Sequence, residues 1–479
     1  MADPMGMVTV DEVPFGRFHA KLMFWCGGGA LMAGYAVGNI AIPLSVMSGQ
    51  IPISTAMYGL ISSGVLLGSA VGSVVGGRLG DVWGRKATYL ADLALLAACF
   101  LLQLFVTGPL SCLVLRVATG VCAGATFALS GSLLSELAPR KNRGAMVGSL
   151  NLMWFLGYAA ANVACYLMLG LGEGSWRAML ASGAVPSIAW LLLSLRMPES
   201  PRWLMARGRE VDAGRVLARL GEHVVLPREE APEPKASFAE VFANGNGKWV
   251  FFVAFFWSAT VISIFSLGTY TPAVLTQLGF GDGDMQYLGT ALINMLYLVG
   301  VAPSLPLIDK IGRRPVLAGS FGISAVALAA LVLTADLDLP FSVVIVLFLL
   351  FGAANAAGGS LQYVYPNELF PTSVRSTAVG LVTSISRVVS VVATFSAAFV
   401  IQELGVVATM LICAGVATAG LVVTLVMAPE TRGMDLAESS SLNAGPSTAS
   451  GADAADRAVA PAPCQAPAPA ADCAAARHP

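Results

Sequence analysis

Arg116 and Arg387 each stand inside a long apolar run, in RVATGVCAG and SISRVVSVVATF. Placing a guanidinium at the centre of such a run costs about 2.5–3.5 kcal/mol on insertion scales, so each arginine needs a reason. Arg387 lies on a polar stripe with Gly380, Thr383, Ser384, Ser390 and Thr394, which helical spacing gathers on one face. A planar cation beside hydroxyls can hold an anion or a pathway water, or it can tie a structural hydrogen-bond knot. Arg116 is nearer the end of its run, where it either snorkels outward or joins the same polar set. Other polar side chains break the apolar runs: Asn39; Asn151, Phe155, Tyr158 and Asn162; Trp257, Tyr270 and Thr271; Asn294 and Tyr297; Asn355 and Gln362. Buried amides are costly unless bonded, so these face a cavity or a neighbouring helix. Taken together, Arg387, Asn39, Arg116, Asn151, Tyr158, Trp257, Tyr270, Asn294, Asn355 and Gln362 describe a mixed polar and aromatic pocket; taken singly, each also reads as glue between helices.

Acids are scarce in these runs. Asp92 is the one carboxylate inside one, two turns from its start. It is a weak candidate for a proton carrier, with local capping or pairing with Lys86 as the alternative. No nucleophile–base set and no Cys/His cluster occurs, so neither enzyme chemistry nor a metal or other cofactor is expected. The eight cysteines form no CxxC pair, and His19, His223 and His478 are expected to lie outside the membrane core.

A second kind of chemistry sits between the runs. DVWGRK at 81–86 and DKIGRR at 309–314 repeat one charged hairpin. Gly84 and Gly312 can take turn dihedrals. Asp81 and Asp309 can accept hydrogen bonds at a helix N-terminus, and Arg85 and Arg313 can pair with carboxylates. Gly77 and Arg78 precede the first copy, whereas Leu305 and Pro306 precede the second. ELAPRKNR, with Glu136 and Arg143, and ELFPTSVR, with Glu368 and Arg375, supply partners, as do Glu199 and Glu430 in PES and PET.

These residues must be positioned by helices in a membrane. Of the 479 residues 56% are hydrophobic and 11% charged, against roughly 25% charged for a soluble domain. Twelve windows are long enough to cross a hydrocarbon core of about 30 Å: 19–43, 57–76, 87–107, 110–133, 145–170, 176–196, 249–277, 286–308, 315–335, 340–361, 376–400 and 405–428. The opening stretch carries acids and no small-residue cleavage site, so the first window is expected to stay in the mature protein. Apart from Arg116, Arg177 and Arg387, the 27 basic residues share one side: the N-terminus, the loops after spans 2, 4, 6, 8 and 10, and the tail. That side is expected to be cytoplasmic. The net charge of −1 gives no sign of a nucleic-acid partner. Span 2 also carries Gly64, Gly68, Gly72, Gly76 and Gly80, a smooth stripe suited to close packing and read as a surface on which two halves slide.

The hairpins, the two Glu…Arg loops and the PES/PET pair recur at offsets of 228, 232 and 231 residues, in one order. Three paired landmarks at nearly one offset mean two homologous six-span halves. The expected organisation is a cytoplasmic N-terminus at 1–18, a six-helix bundle at 19–196, a cytoplasmic central loop with short helices at 197–248, a second bundle at 249–428, and a tail at 429–479. The tail is rich in Ala, Pro and Ser and is expected to be mostly disordered.

GRLGDVWGRK, RVATGVCAG, PESPRWL, ELFPTSVRSTAVG and PETRG, on a duplicated six-span frame, resemble the major facilitator superfamily of transporters over about 17–435. The resemblance implies an all-α membrane protein in which twelve transmembrane helices form two pseudo-symmetric six-helix bundles, both termini cytoplasmic, with a midplane site between them. It makes Gly77, Arg78, Asp81, Gly84, Arg85, Glu136, Arg143, Asp309, Gly312, Arg313, Glu368 and Arg375 a gate that holds the cytoplasmic face closed. PESPRWL and PETRG resemble sugar porters, yet the glutamines usual in their spans 5 and 7 are missing. ELFPTSVRSTAVG followed by Arg387 resembles the aromatic-acid and organic-ion branch. Proton-driven relatives carry an acid where this chain has Ala36. The expected function is transport of a small polar metabolite, an organic anion favoured, across the cell membrane, with a sugar or polyol porter or an exporter as the alternative and a membrane nutrient sensor behind them. Expected partners are the substrate, lipid and, if Asp92 carries one, a co-transported proton; a monomer is expected.

Overall fold

The computed structural model describes residues 8–221, 224–226, 241–242, 245–281, 283–333, 337, 340–370 and 372–432. The expected disorder of the tail, and much of the central loop after residue 221, lie outside the described residues, as do His223 and the side chains of Asp309 and Arg375.

Among the described residues, twelve helical segments are long and apolar enough to cross a membrane: spans 1 to 12 are Arg17–Gln50, Thr55–Trp83, Arg85–Phe105, Pro109–Leu137, Arg143–Leu171, Ser175–Ser194, Gly247–Gly268, Met285–Ser304, Arg313–Leu333, Phe341–Ser360, Thr377–Glu403 and Gly405–Met427. In hydrocarbon the backbone must satisfy its own hydrogen bonds, which leaves the helix as the only spanning form for single segments. Apolar side chains point out from the bundle, Val74, Val185, Val326 and Val426 among them, each at least 70% exposed. A soluble protein would not leave such a surface bare; here it is the lipid-facing coat.

The packing repeats with the sequence. Span 1 packs on spans 4 and 5, span 2 on span 4, and span 3 on spans 4 and 6. Span 7 packs on spans 10 and 11, span 8 on span 10, and span 9 on spans 10 and 12. Adding six to each number turns the first set into the second. The halves meet where span 2 packs on span 11 and span 5 on span 8, two contacts that the same operation exchanges.

The glycine stripe of span 2 does not lie between the halves. A Cβ at Gly68 would stand 2.1 Å from the Val117 carbonyl oxygen, and one at Gly72 1.9 Å from that of Val121. The stripe therefore locks span 2 onto span 4 within the first half, backbone against backbone. The sliding-surface reading is corrected by this contact: the stripe is a fixed seam. Span 11 meets span 2 elsewhere, at Gly59 beside Phe395.

Spans 1 and 7 are both broken. Helix Arg17–Gly38 stops, Asn39 takes a non-helical ψ of 47°, and a second helix runs Ala41–Gln50. Pro43 lies four residues after Asn39; its ring displaces the carbonyl at that position and it has no N–H to bond it. Likewise helix Gly247–Gly268 stops and Thr271–Leu275 follows, with Pro272 four residues after Gly268. The first span is thus longer than the apolar window 19–43, because the chain continues past the break to Gln50.

Candidate functional site

Between the halves lies a cavity of about 70 Å³, lined by Asn151, Trp154, Trp257, Gln362, Ser386 and Arg387 together with Phe127, Phe155, Phe265, Ser390 and small or aliphatic neighbours. Spans 4, 5, 7, 10 and 11 and the turn after span 10 contribute. Arg387 is the one charged side chain among the described lining residues, and five aromatic residues share the lining with it. Trp154 makes an edge contact with Phe155 at 5.1 Å and stacks on Tyr158 at 5.4 Å, which fixes the ring that forms the wall. Asn151 Nδ2 is buried and, among the described residues, has no hydrogen-bond partner. The site can bind a small molecule by ring stacking, amide hydrogen bonds and one guanidinium.

Of the ten residues expected in the pocket, Arg387, Asn151, Trp257 and Gln362 line this cavity. Tyr158 stands behind Trp154, 2% exposed, near Tyr297. Tyr270 lies at the far end of span 7: its hydroxyl donates to the Thr394 carbonyl oxygen at 2.8 Å and its ring stacks on Tyr58 at 5.7 Å. With the Thr55–Gln402 hydrogen bond, that stack joins the halves on the face opposite the basic loops. Asn294 and Asn355 are buried in spans 8 and 10, and among the described residues Asn294 Nδ2 and Oδ1 and Asn355 Oδ1 have no hydrogen-bond partner.

Asn39 and Arg116 belong together and away from the cavity. Arg116 is fully buried and donates through Nη1 to Asn39 Oδ1 at 2.7 Å. Asn39 Nδ2 donates to the Leu180 carbonyl oxygen at 2.9 Å. The pair ties the break in span 1 to spans 4 and 6. Arg116 does not snorkel, because the break in span 1 offers it an acceptor inside the bundle. Asp92 accepts from Thr126 Oγ1 of span 4, not from Lys86. Trp154, Phe127, Phe265 and Ser386 were not singled out from the sequence. Their signal is spacing: Trp154 follows Asn151 by three, and Trp257, Val261, Ile264 and Phe265 share one helical face.

The charged hairpins form two clusters, each within its own half. In the first, Arg85 pairs with Glu136, Ser200 Oγ donates to both Glu136 oxygens at 2.7 and 2.8 Å, and Arg202 stands 3.9 Å away. In the second, Arg313 pairs with Glu368 at 3.0 Å and Thr431 Oγ1 donates to Glu368. The helix caps differ from expectation. Glu199 accepts from the backbone N–H of Arg85 (2.8 Å) and Lys86 (3.0 Å), and Glu430 accepts from those of Arg313 (3.0 Å) and Arg314 (3.2 Å). Asp81 is exposed, and among the described residues its side chain makes no hydrogen bond; its carbonyl oxygen accepts from Trp203 Nε1 at 3.0 Å. The longer glutamates reach the exposed helix N-termini from the chain after spans 6 and 12, where an aspartate on the turn itself points away. Gly84 and Gly312 have φ of 98° and 117°, and a Cβ at either would stand 2.5 Å from the capping carboxylate. Both conditions require glycine. Arg143 pairs with Asp11 rather than Glu136. A Cβ at Gly77 would meet nothing within 4 Å, and Arg78 is exposed.

Two six-helix bundles with a polar cavity between them and paired charge clusters on one face define a twelve-span carrier of the major facilitator superfamily, a multi-pass protein of the cell membrane and not an enzyme. The match to the family model "Sugar (and other) transporter" covers residues 22–442, and the chain belongs to that family. YaaU of Escherichia coli (strain K12) is 33% identical over 432 residues, covering 90% of this chain and 97% of that protein. The inner membrane metabolite transport protein YgcS of the same organism is 32% identical, covering 90% and 95%. The partially occluded inward open structure of the xylose transporter XylE from E. coli superposes with a TM-score of 0.73 at 20% identity, covering 88% of this chain and all of that one.

Proposed function

We propose that this metabolite transporter carries a small organic anion by alternating access, with the central cavity as its binding site and the basic face cytoplasmic. The observation that carries the reading is Arg387: one guanidinium in a cavity walled by Trp154, Trp257 and three phenylalanines. In a low-dielectric site a cation attracts a carboxylate far more strongly than in water, and guanidinium geometry matches a carboxylate with two parallel bonds. The rings suit an apolar or aromatic body on that anion. The halves join on the face opposite the basic loops, through Tyr58–Tyr270 and Thr55–Gln402. This arrangement corresponds to a carrier contracted toward its cytoplasm-facing state, and its 70 Å³ cavity widens when substrate enters. On this reading the two clusters are latches that close the cytoplasmic face in the opposite state.

A second reading has its own support. Asn151, Gln362, Ser386 and Ser390 could hydrogen-bond a sugar or polyol against tryptophan rings, and the solved relative is a xylose transporter. The two separate in proteoliposomes given a panel of organic acids and sugars, with and without an imposed pH gradient. Uptake of acids that is lost in Arg387→Gln supports the anion reading. Uptake confined to sugars, and retained in that variant, refutes it. Accumulation that needs the gradient and disappears in Asp92→Asn assigns the proton to Asp92; accumulation that survives that change excludes it.

A further inference from the structure

A second cavity lies away from the central one. About 1360 Å³ open on the basic face, between the start of span 1, the start of span 3, the end of span 6 and the short helices Pro201–Ala206 and Glu210–Leu217. Its lining carries seven cations, among them Arg17, Lys21, Lys86, Arg196 and Arg219, and two acids. Both acids are already engaged. Glu199 caps the start of span 3. Asp212 accepts from Arg209 at 2.7 and 2.9 Å and from Arg215 at 2.8 Å, and the Arg209 bonds foremost hold its carboxyl below the usual range. Among the described residues, the side chains of Arg17, Lys21, Lys86, Arg196 and Arg219 have no hydrogen-bond or ion-pair partner. Five such cations around one hollow repel each other unless an anion sits among them.

One wall is of another kind. Phe24, Trp25 and Leu193 line it; Phe24 packs on Trp190 at 4.8 Å, and Trp25 Nε1 donates to the Leu193 carbonyl oxygen at 3.1 Å. Phe24, Leu192, Leu193 and Leu195 are exposed and continue the lipid-facing coat of spans 1 and 6. Tryptophan and basic side chains side by side mark the headgroup level of a bilayer.

We propose that this cavity binds the headgroup of an anionic phospholipid, with its phosphate among Lys21, Arg196 and Arg219 and its acyl chains against Phe24 and Leu193. A soluble phosphorylated molecule shares the charge but makes no use of the apolar wall, which is why the lipid is the occupant favoured. Basic pockets between transmembrane helices take such headgroups, and each nearby cation strengthens binding about fivefold. The lipid couples the end of span 6 to the loop helices that carry the Glu199 cap, so its occupancy bears on the first charge cluster.

The test is native mass spectrometry of the purified full-length protein. It is titrated with phosphatidylglycerol, with phosphatidylcholine of the same chains, and with glycerol 3-phosphate as the soluble arm. Phosphatidylglycerol is expected to bind at least about tenfold tighter than either other probe. The triple variant Lys21→Gln/Arg196→Gln/Arg219→Gln should lose about 100-fold, whereas Arg140→Gln/Lys141→Gln/Lys310→Gln, which removes three exposed charges from the same face outside the cavity, should stay close to wild type. The charge-retaining triple Lys21→Arg/Arg196→Lys/Arg219→Lys should keep binding, which separates lost charge from lost fold. Equal losses in the two glutamine triples, or equal binding of glycerol 3-phosphate and phosphatidylglycerol, would overturn the proposal. Nothing in this test involves transport or orientation, so its failure leaves the function proposed above standing.

Discussion

Arg116 and Arg387 are the same residue type in similar apolar runs, yet the tertiary structure gives them opposite surroundings. Arg116 is fully buried inside the first half, bonded to Asn39 at the break of span 1. Arg387 lines the cavity between the halves, among tryptophans, amides and serines. The first holds spans 1, 4 and 6 together; the second faces the cavity proposed above as the binding site. A buried charge with a fixed neutral acceptor is a rigid tie, because moving either partner exposes the cost of the other.

Substitutions sharpen that contrast. The largest effect is expected from Arg387→Gln, which should abolish uptake of an anionic substrate while leaving the melting temperature of the detergent-solubilised protein within a few degrees of wild type. A large drop in melting temperature would make Arg387 a structural tie like Arg116. Next comes Asn39→Leu, which strands a buried guanidinium and should destabilise the fold by about 3–5 kcal/mol, read by chemical or thermal unfolding. Arg116→Leu removes the charge and leaves only the Asn39 acceptor unpaired, so it should cost less, about 1–3 kcal/mol. If either Asn39 or Arg116 variant folded normally but lost substrate affinity, the separation of the two arginines would fail.

A smaller contrast separates the two charge clusters. They share a plan: Arg85 with Glu136 under the Glu199 cap, Arg313 with Glu368 under the Glu430 cap. Around the first stand Arg202 and the helix Pro201–Ala206; Trp203 in that helix and Arg207 just after it donate to the carbonyl oxygens of Asp81 and Val82. Glu199→Gln and Glu430→Gln each weaken a charge-assisted helix cap worth about 1 kcal/mol. Both should change transport rate by several-fold with little change in substrate affinity, and the Glu199 variant should change it more, because more of the loop hangs on that cap. Equal effects would mean that the added helix carries no part of the latch. Smallest of all should be Asp81→Asn, whose exposed side chain makes no hydrogen bond among the described residues; a change in rate exceeding that of Glu199→Gln would restore Asp81 to the role its motif suggests.

Membership, span number and duplication were legible in the sequence because each rests on local or repeated patterns. Apolar length forces helices in lipid, and paired loops at one offset force two halves. The span breaks were legible as well, through Pro43 and Pro272, 229 residues apart, although only the fold drew attention to them. Four cavity residues could be named from polar side chains on helical faces. The aromatic wall could not, since Trp154 and Phe265 look like any core residue until two spans are set facing each other.

What the sequence alone determined, then, is what depends on counting: length, hydropathy, charge asymmetry and repeat. What only the tertiary structure decided is which partner each polar group meets. It placed Arg116 on Asn39 and Arg387 at a cavity, set the glycine stripe against span 4 rather than the opposite half, and gave the helix caps to Glu199 and Glu430 instead of Asp81. The reason is geometric. A helix fixes which side chains share a face, but which neighbour that face meets depends on residues about fifty to more than a hundred positions away.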